Sequence, residues 1–465
     1  MRFALPRLEA AFWYGCAVLI LLSAALYNGF PLVTSDTGAY INSGFHWEVP
    51  TDRPITYGLF VRLSSLGFSL WLVVLAQCLL LAAVLLRCVR VLVPGVASPA
   101  LRTGLVLLSA WATGLAWFSG QLMPDIFTAL GLLTLLLLLF DTGLTGLGRG
   151  GALLLLLLCA LMHSSNLLTY SLVVLAVLAV AALARLPQRG LLSRRALRQV
   201  AAVVFGSWLL LPALHWSFGG GFTISRSSYM FVMGRLLESG VLDAFLNDHC
   251  GTGTSYDLCQ YRYQLPNDAI TFLWDGQSVP NRTGGWEAHR AEYQQVIRAI
   301  LTSPRYYPAL ASEAVQATLR QLVSVDHGDG LTAYRDNTNP FWKVQEYFPF
   351  ELREYLSSYQ NQSRLNFTDL SARNQFTLLL TLAGLLLLLG TPVREALAPR
   401  ARLWLLVCIV GVVANAGVTG GLANVISRLQ TRVVWVLPFS VLCLGVAGYP
   451  TIVSYFRARL GAGPK

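Results

Sequence analysis

The carboxylate of Asp36 lies in TSDTGAYI, a few residues after a long apolar run ends. Tyr40, Glu48, Asp52 and Arg53 follow it within PLVTSDTGAYINSGFHWEVPTDRPITYGLF. A carboxylate at the mouth of a membrane cavity can take a proton from an attacking hydroxyl. It can also ligate a divalent cation, Mg or Mn, through oxygen. The plainer use is as a cap for a short helix over 39–43, since an Asp side chain accepts from the free N–H groups of a first helical turn. The residue types allow all three.

Further polar groups interrupt apolar sequence at distant points. Asp125 follows Met123-Pro124, either as a second acid for a site or as an acid favoured by a helix dipole. His163, Ser164, Ser165 and Asn166 break the run from Gly151 to Leu183, as a hydrogen-bonded turn or as substrate-binding groups. Arg428 and Arg432 stand in RLQTRVVW. Their guanidinium forks suit lipid headgroups or the oxygens of a bound phosphate or pyrophosphate. Ionisable groups at membrane depth are costly, and a functional site is the default hypothesis for them. The triplet Gly219–Gly221 and the pair Gly420-Gly421 neither follow a strand nor open a phosphate loop, so a nucleotide site is not expected. The sequons at Asn281, Asn361 and Asn366 are read as chance.

The elements that must carry these groups are membrane helices. The 465 residues are 55% hydrophobic and only 12% charged, about half the charge of a soluble domain. Runs such as Leu130–Phe140 need a bilayer, whose core takes roughly 20 apolar residues per helix. An all-α polytopic protein with about ten transmembrane helices is expected, at roughly 11–31, 66–86, 104–120, 126–140, 150–163, 167–184, 199–217, 375–391, 403–420 and 433–453. The third to fifth are short. The opening stretch is too long for a secretory h-region and reads as the first span.

The net charge is +11, almost all of it arginine, with Lys343 and Lys465 the two lysines. A nucleic-acid role is excluded by placement, because the arginines cluster at the ends of apolar spans. Seventeen basic residues fall in segments on one side: Arg2, Arg7, Arg87, Arg90, Arg102, Arg149, Arg185, Arg189, Arg194, Arg195, Arg198, Arg394, Arg400, Arg402, Arg457, Arg459 and Lys465. Four fall in short loops on the other: Arg53, Arg62, Arg428 and Arg432. By the positive-inside rule both termini are cytoplasmic, and every candidate site residue is outside. Arginine in place of lysine suits a GC-rich bacterial genome, hence a bacterial cytoplasmic membrane.

Three regions follow: a seven-helix module over 1–217 with its first outside loop at 32–65, a soluble insert over 218–374, and a three-helix region over 375–465. The insert carries 13 basic and 16 acidic residues and many aromatics. Helical spacing over Glu287–Leu301 and Ser312–Val323 makes it mostly helical. Cys250 and Cys259 lie in it. An extracytoplasmic compartment favours a disulfide between them, against a metal site with the adjacent His249, which lacks a full ligand set. The other six cysteines sit in or beside spans as small apolar packers.

The layout of 1–217, and less so 375–453, resembles the GT-C superfamily of membrane glycosyltransferases. The matching features are Asp36 in TSDTGAYI just after the first span, Asp125 in the second outside turn, a first loop able to form short helices over Ile41–Leu66, and a soluble domain after the seventh span. The paired adjacent acids of some branches are absent, since Ser35 precedes Asp36. The resemblance implies inverting transfer of a sugar from a polyprenyl-phosphate carrier to an envelope lipid, glycan or protein acceptor. It implies Asp36 as base, with Arg428 or Arg432, or a metal at Asp36 and Asp125, at the leaving phosphate. Tyr40, Arg53, His163 and Asn166 would line the substrate site. The competing readings are a transporter or flippase for lipid-linked glycans and a non-catalytic envelope-assembly protein. Charge-poor spans weigh against the transporter.

Overall fold

The computed structural model describes residues 5–251, 256–390 and 397–459. Arg2, Arg394 and Lys465 of the basic segments lie outside them. Among the described residues the regular elements are all helical, with one isolated parallel bridge between Leu32 and Gln121.

Among the described residues, seven helices are long and apolar enough to cross a membrane. They begin with α1 (Leu5–Asn28). A short α2 (Thr37–His46) and α3 (Thr56–Ser64) precede the next long helix, α4 (Trp71–Leu92). The three short spans expected from sequence differ in form. The expected 104–120 is split into α5 (Pro99–Ala112) and α6 (Leu115–Ser119), interrupted at Thr113-Gly114. Next come α7 (Asp125–Phe140) and α8 (Gly146–Met162), apolar but shorter than a bilayer-crossing helix. Every residue of α7 is buried, which explains its leucine content on all faces: it is a central helix wrapped by protein. The long helices α9 (Ser164–Leu183) and α10 (Arg194–Ser217) complete the first half. Helices Thr368–Gly390, Pro399–Leu422 and the kinked pair Ser427–Val434 and Val436–Arg459 form the second.

Arginine-rich helix ends meet at one end of the bundle. Arg87 pairs with Asp141, Arg149 donates to Gln199 at 2.8 Å, and Arg400 donates to the Gly190 carbonyl at 2.9 Å.

The insert has two parts with different attachments. Residues from Tyr229 to Tyr306 form a separate apolar core around Met230, Phe245, Phe272 and Tyr293. The Cys250–Cys259 disulfide closes a loop beside it. The expected helices are present as Arg290–Thr302 and Tyr307–Val323. The later part of the insert joins the main core instead, through Leu331, Phe341, Val344, Phe348 and Tyr355. Helix Tyr307–Val323 lies along Pro399–Leu422, and a Cβ on Gly420 would stand 2.7 Å from the Ala317 carbonyl oxygen. Glycine is required there because the two backbones touch.

Candidate functional site

The chain leaving α1 is held straight by its neighbours before it reaches Asp36. Leu32 N–H donates to the Gly120 carbonyl at 2.9 Å, and Leu122 N–H donates back to Leu32 at 2.8 Å. Gln360 binds both backbone groups of Val33 and also the Thr332 carbonyl. Thr37 closes the turn by accepting from Thr34 N–H and donating to the Leu122 carbonyl. These side chains satisfy a non-helical backbone that is otherwise buried. Asp36 then stands at the N-cap of α2 with no side-chain capping bond. The cap use allowed by its residue type is therefore not the one the fold makes of it.

Instead the carboxylate faces two arginines. Arg53 donates to Oδ1 at 3.1 Å and Arg428 to Oδ2 at 3.2 Å. Arg53 reaches it from the turn between α2 and α3, paired also with Asp52 and lying 5.0 Å over the Tyr40 ring. That approach needs α2 and α3 in contact, and a Cβ at Gly44 would collide with the Gly58 carbonyl. Arg428 comes from helix Ser427–Val434, positioned by Gln321 of the insert. Gln321 donates to the Ile426 carbonyl at 2.9 Å and accepts from Ile426 N–H at 3.1 Å.

One turn on, Arg432 forms an inner layer. It donates to Asp125 at 2.9 Å, to Ser165 Oγ at 2.9 Å and to Asn415 at 3.3 Å. Arg428 Nε lies 3.6 Å from the other Asp125 oxygen, so it joins the layers. His163 Nδ1 shares a 2.7 Å hydrogen bond with Ser165 Oγ. The outcome is a chain of alternating charge, Asp52–Arg53–Asp36–Arg428–Asp125–Arg432, drawn from segments hundreds of residues apart.

Accessibility divides the cluster. The Asp36, Arg428 and Arg53 side chains are 25%, 18% and 11% exposed, whereas Asp125 is 2% and Arg432 0% exposed. A ligand can reach the outer three. The inner pair supports them. Of the other residues expected to line a substrate site, His163 is half-buried. Tyr40 is buried beneath Arg53, and Asn166 is buried with its amide bonded to Thr128 and the Cys159 carbonyl. Both lie behind the contact surface. Ser165 belongs to the polar break read from sequence at His163–Asn166. Asn415, and Asp329, whose carboxylate accepts from the Arg428 backbone N–H at 3.3 Å, were not singled out, since single polar residues in an apolar helix or a loop carry no spacing signal.

Burial by itself would raise the Asp36 carboxyl. The Arg53 and Arg428 guanidiniums outweigh it and hold the group down at about 2. The same guanidiniums make a poor cation site. Each carboxylate oxygen that a metal would need already lies within 4 Å of a guanidinium nitrogen, and among the described residues no three His, Cys, Asp or Glu side chains converge. The Asp36 and Asp125 donor set does not suit the divalent cation that the residue types allow. What the arrangement can do is hold an anion between Arg53 and Arg428 next to a carboxylate. Comparison with protein-family models, with curated proteins and with solved structures returns no match for this chain.

Proposed function

We propose that this chain is an inverting glycosyltransferase of the GT-C type, moving a sugar from a polyprenyl-phosphate carrier to an acceptor hydroxyl at the extracytoplasmic membrane face. One observation carries the reading: Asp36, Arg53 and Arg428 converge from three separate segments into a partly exposed carboxylate flanked by two guanidiniums. α5 with α6, α7 and α8 would act as three short spans inside the bundle, giving ten crossings with both termini cytoplasmic. The meeting of Arg87, Arg149 and Arg400 at one end supports that orientation.

In the resting cluster Asp36 is a weak base, because its proton affinity is suppressed by both arginines. An incoming carrier phosphate competes for the same guanidiniums. As Arg53 and Arg428 turn to the phosphate, Asp36 loses its counter-charges and its proton affinity rises. The acceptor hydroxyl then attacks the sugar C1 and gives its proton to Asp36. The bond from C1 to the phosphate oxygen breaks, and polyprenyl phosphate leaves against the arginines. A single displacement inverts the anomeric centre. Substrate binding thus strengthens the base, which is weak in the empty site.

The test is to incubate protein in lipid nanodiscs with undecaprenyl-phosphate hexoses and an envelope lipid extract, and to follow products by mass spectrometry. A hexose-bearing product that vanishes with Asp36→Asn is expected. Products unchanged by that substitution would remove the proposal.

A further inference from the structure

Around Asp326 and His327 the surface is hollowed. A depression of about 430 Å³ lies at the start of helix Thr368–Gly390, walled by Asp326, His327, Phe367 and Gln375 among others. Asp326, His327 and Phe367 also line a second cavity of about 10 Å³, whose walls include Asp329 and Arg428. That is room for roughly one water molecule. The open depression therefore runs, through shared residues, toward the guanidinium that pairs with Asp36.

We infer that this depression is a binding site for a neutral, hydroxyl-rich acceptor, a sugar, whose leading hydroxyl is guided past Arg428 toward Asp36. The inference takes its purpose from the transferase reading above, but the site stands on its own lining. Charge separates it from the carrier site. Asp326, an exposed acid on its wall, repels an anionic phosphate, which is drawn to the guanidinium side instead. A neutral polyol meets no such penalty. Its hydroxyls can donate to carboxylates and accept from amides, and the depression supplies both in a fixed pair: Gln375 Nε2 donates to Asp326 Oδ1 at 2.7 Å.

His327 strengthens the case. Both its ring nitrogens are buried without a hydrogen-bond partner; the Nε2 edge lies against the Gly114 backbone, which leaves Nδ1 for a ligand or water to satisfy, a costly state while unmet. Burial holds the imidazole down at about 4, so at neutral pH the ring is uncharged and Nδ1 can accept from or donate to a hydroxyl according to its tautomer. Its loop is anchored, with His327 N–H donating to Ser371 Oγ at 2.9 Å. Phe367, edge-on to Trp117 at 4.8 Å, gives an apolar ring for the C–H face of a sugar.

The experiment places nanodisc-embedded protein on a glycan array and measures the strongest binder by saturation-transfer NMR. Asp326→Asn, His327→Gln and Gln375→Ala are compared with the unaltered chain. Gln375 is exposed, so that variant folds even if the others do not. A second arm measures undecaprenyl phosphate binding by native mass spectrometry. At least one glycan should bind, about tenfold more weakly in the variants, with undecaprenyl phosphate binding unchanged. No glycan signal above empty nanodiscs, or binding equal in all three variants, overturns the inference. Loss of glycan binding alone leaves the carrier reading intact. Glycan binding without undecaprenyl phosphate binding keeps this site and rejects the carrier.

Discussion

Removing the Asp125 carboxylate tests the division of the cluster into an inner and an outer layer. Arg432 is fully buried and Asp125 nearly so, at 0% and 2% exposure. Asp125→Ala leaves the guanidinium with Ser165 and Asn415, both neutral. Breaking a buried pair by deleting one partner costs about 3–5 kcal/mol, because the remaining charge is uncompensated. Deleting both charges removes that term, so Asp125→Ala with Arg432→Leu should recover most of the loss. The coupling in a double-mutant cycle should then be roughly 2–3 kcal/mol. The assay is reversible unfolding by SDS in mixed micelles, followed by tryptophan fluorescence. Asp36→Asn makes the contrast, since its partly exposed pairs are each worth about 1 kcal/mol or less. The reasoning fails if Asp125→Ala costs under about 1 kcal/mol, or if the double variant is no more stable than the single one.

Other outcomes follow from the same geometry. Asp36→Asn should lower turnover by about 10²–10⁴-fold, the usual worth of a positioned base, with undecaprenyl phosphate binding retained in nanodiscs. The folded Asp36 carboxyl sits below its ordinary value of 3.8, at about 2, so its stabilisation is complete above about pH 5 and is lost as pH falls through 3.8 toward 2. Unfolding titrations should show the native chain losing stability against Asp36→Asn across that window and nowhere above it. Cys250→Ser should cost the insert about 2–3 kcal/mol, the loop-closure worth of a bridge spanning nine residues. Limited proteolysis should then cut within 229–306 while the membrane helices stay intact. Gly44→Ala should separate α2 from α3, moving Arg53 and reducing activity even where the fold survives, as circular dichroism would report.

The helical membrane body was legible in the sequence because its cause is local. An apolar run in lipid must satisfy its own backbone, so composition over a window of one span's length already selects a helix. The basic helix ends followed from the same one-dimensional pattern. Where local pattern failed, a neighbour decided. Residues 104–120 read as one apolar span but break at Thr113-Gly114, where the Gly114 backbone touches His327 of the insert. The insert read as one polar domain, yet its later half belongs to the main core through Phe341, Phe348 and Tyr355.

Residue types named the candidates for the site: Asp36, Arg53, Asp125, Arg428 and Arg432 are all present in the charge chain. Their partnership was not legible. Asp36 and Arg428 are 392 positions apart, and nothing in either neighbourhood specifies the other. Only packing shows that Asp36 binds two arginines instead of capping α2, and that Asp125 is sealed while Asp36 is reachable. Charge at a single position is a property of the residue. Whether that charge is a base, a counter-ion or a prop depends on what the fold places within 3 or 4 Å of it, because Coulomb attraction and desolvation both change steeply over that distance.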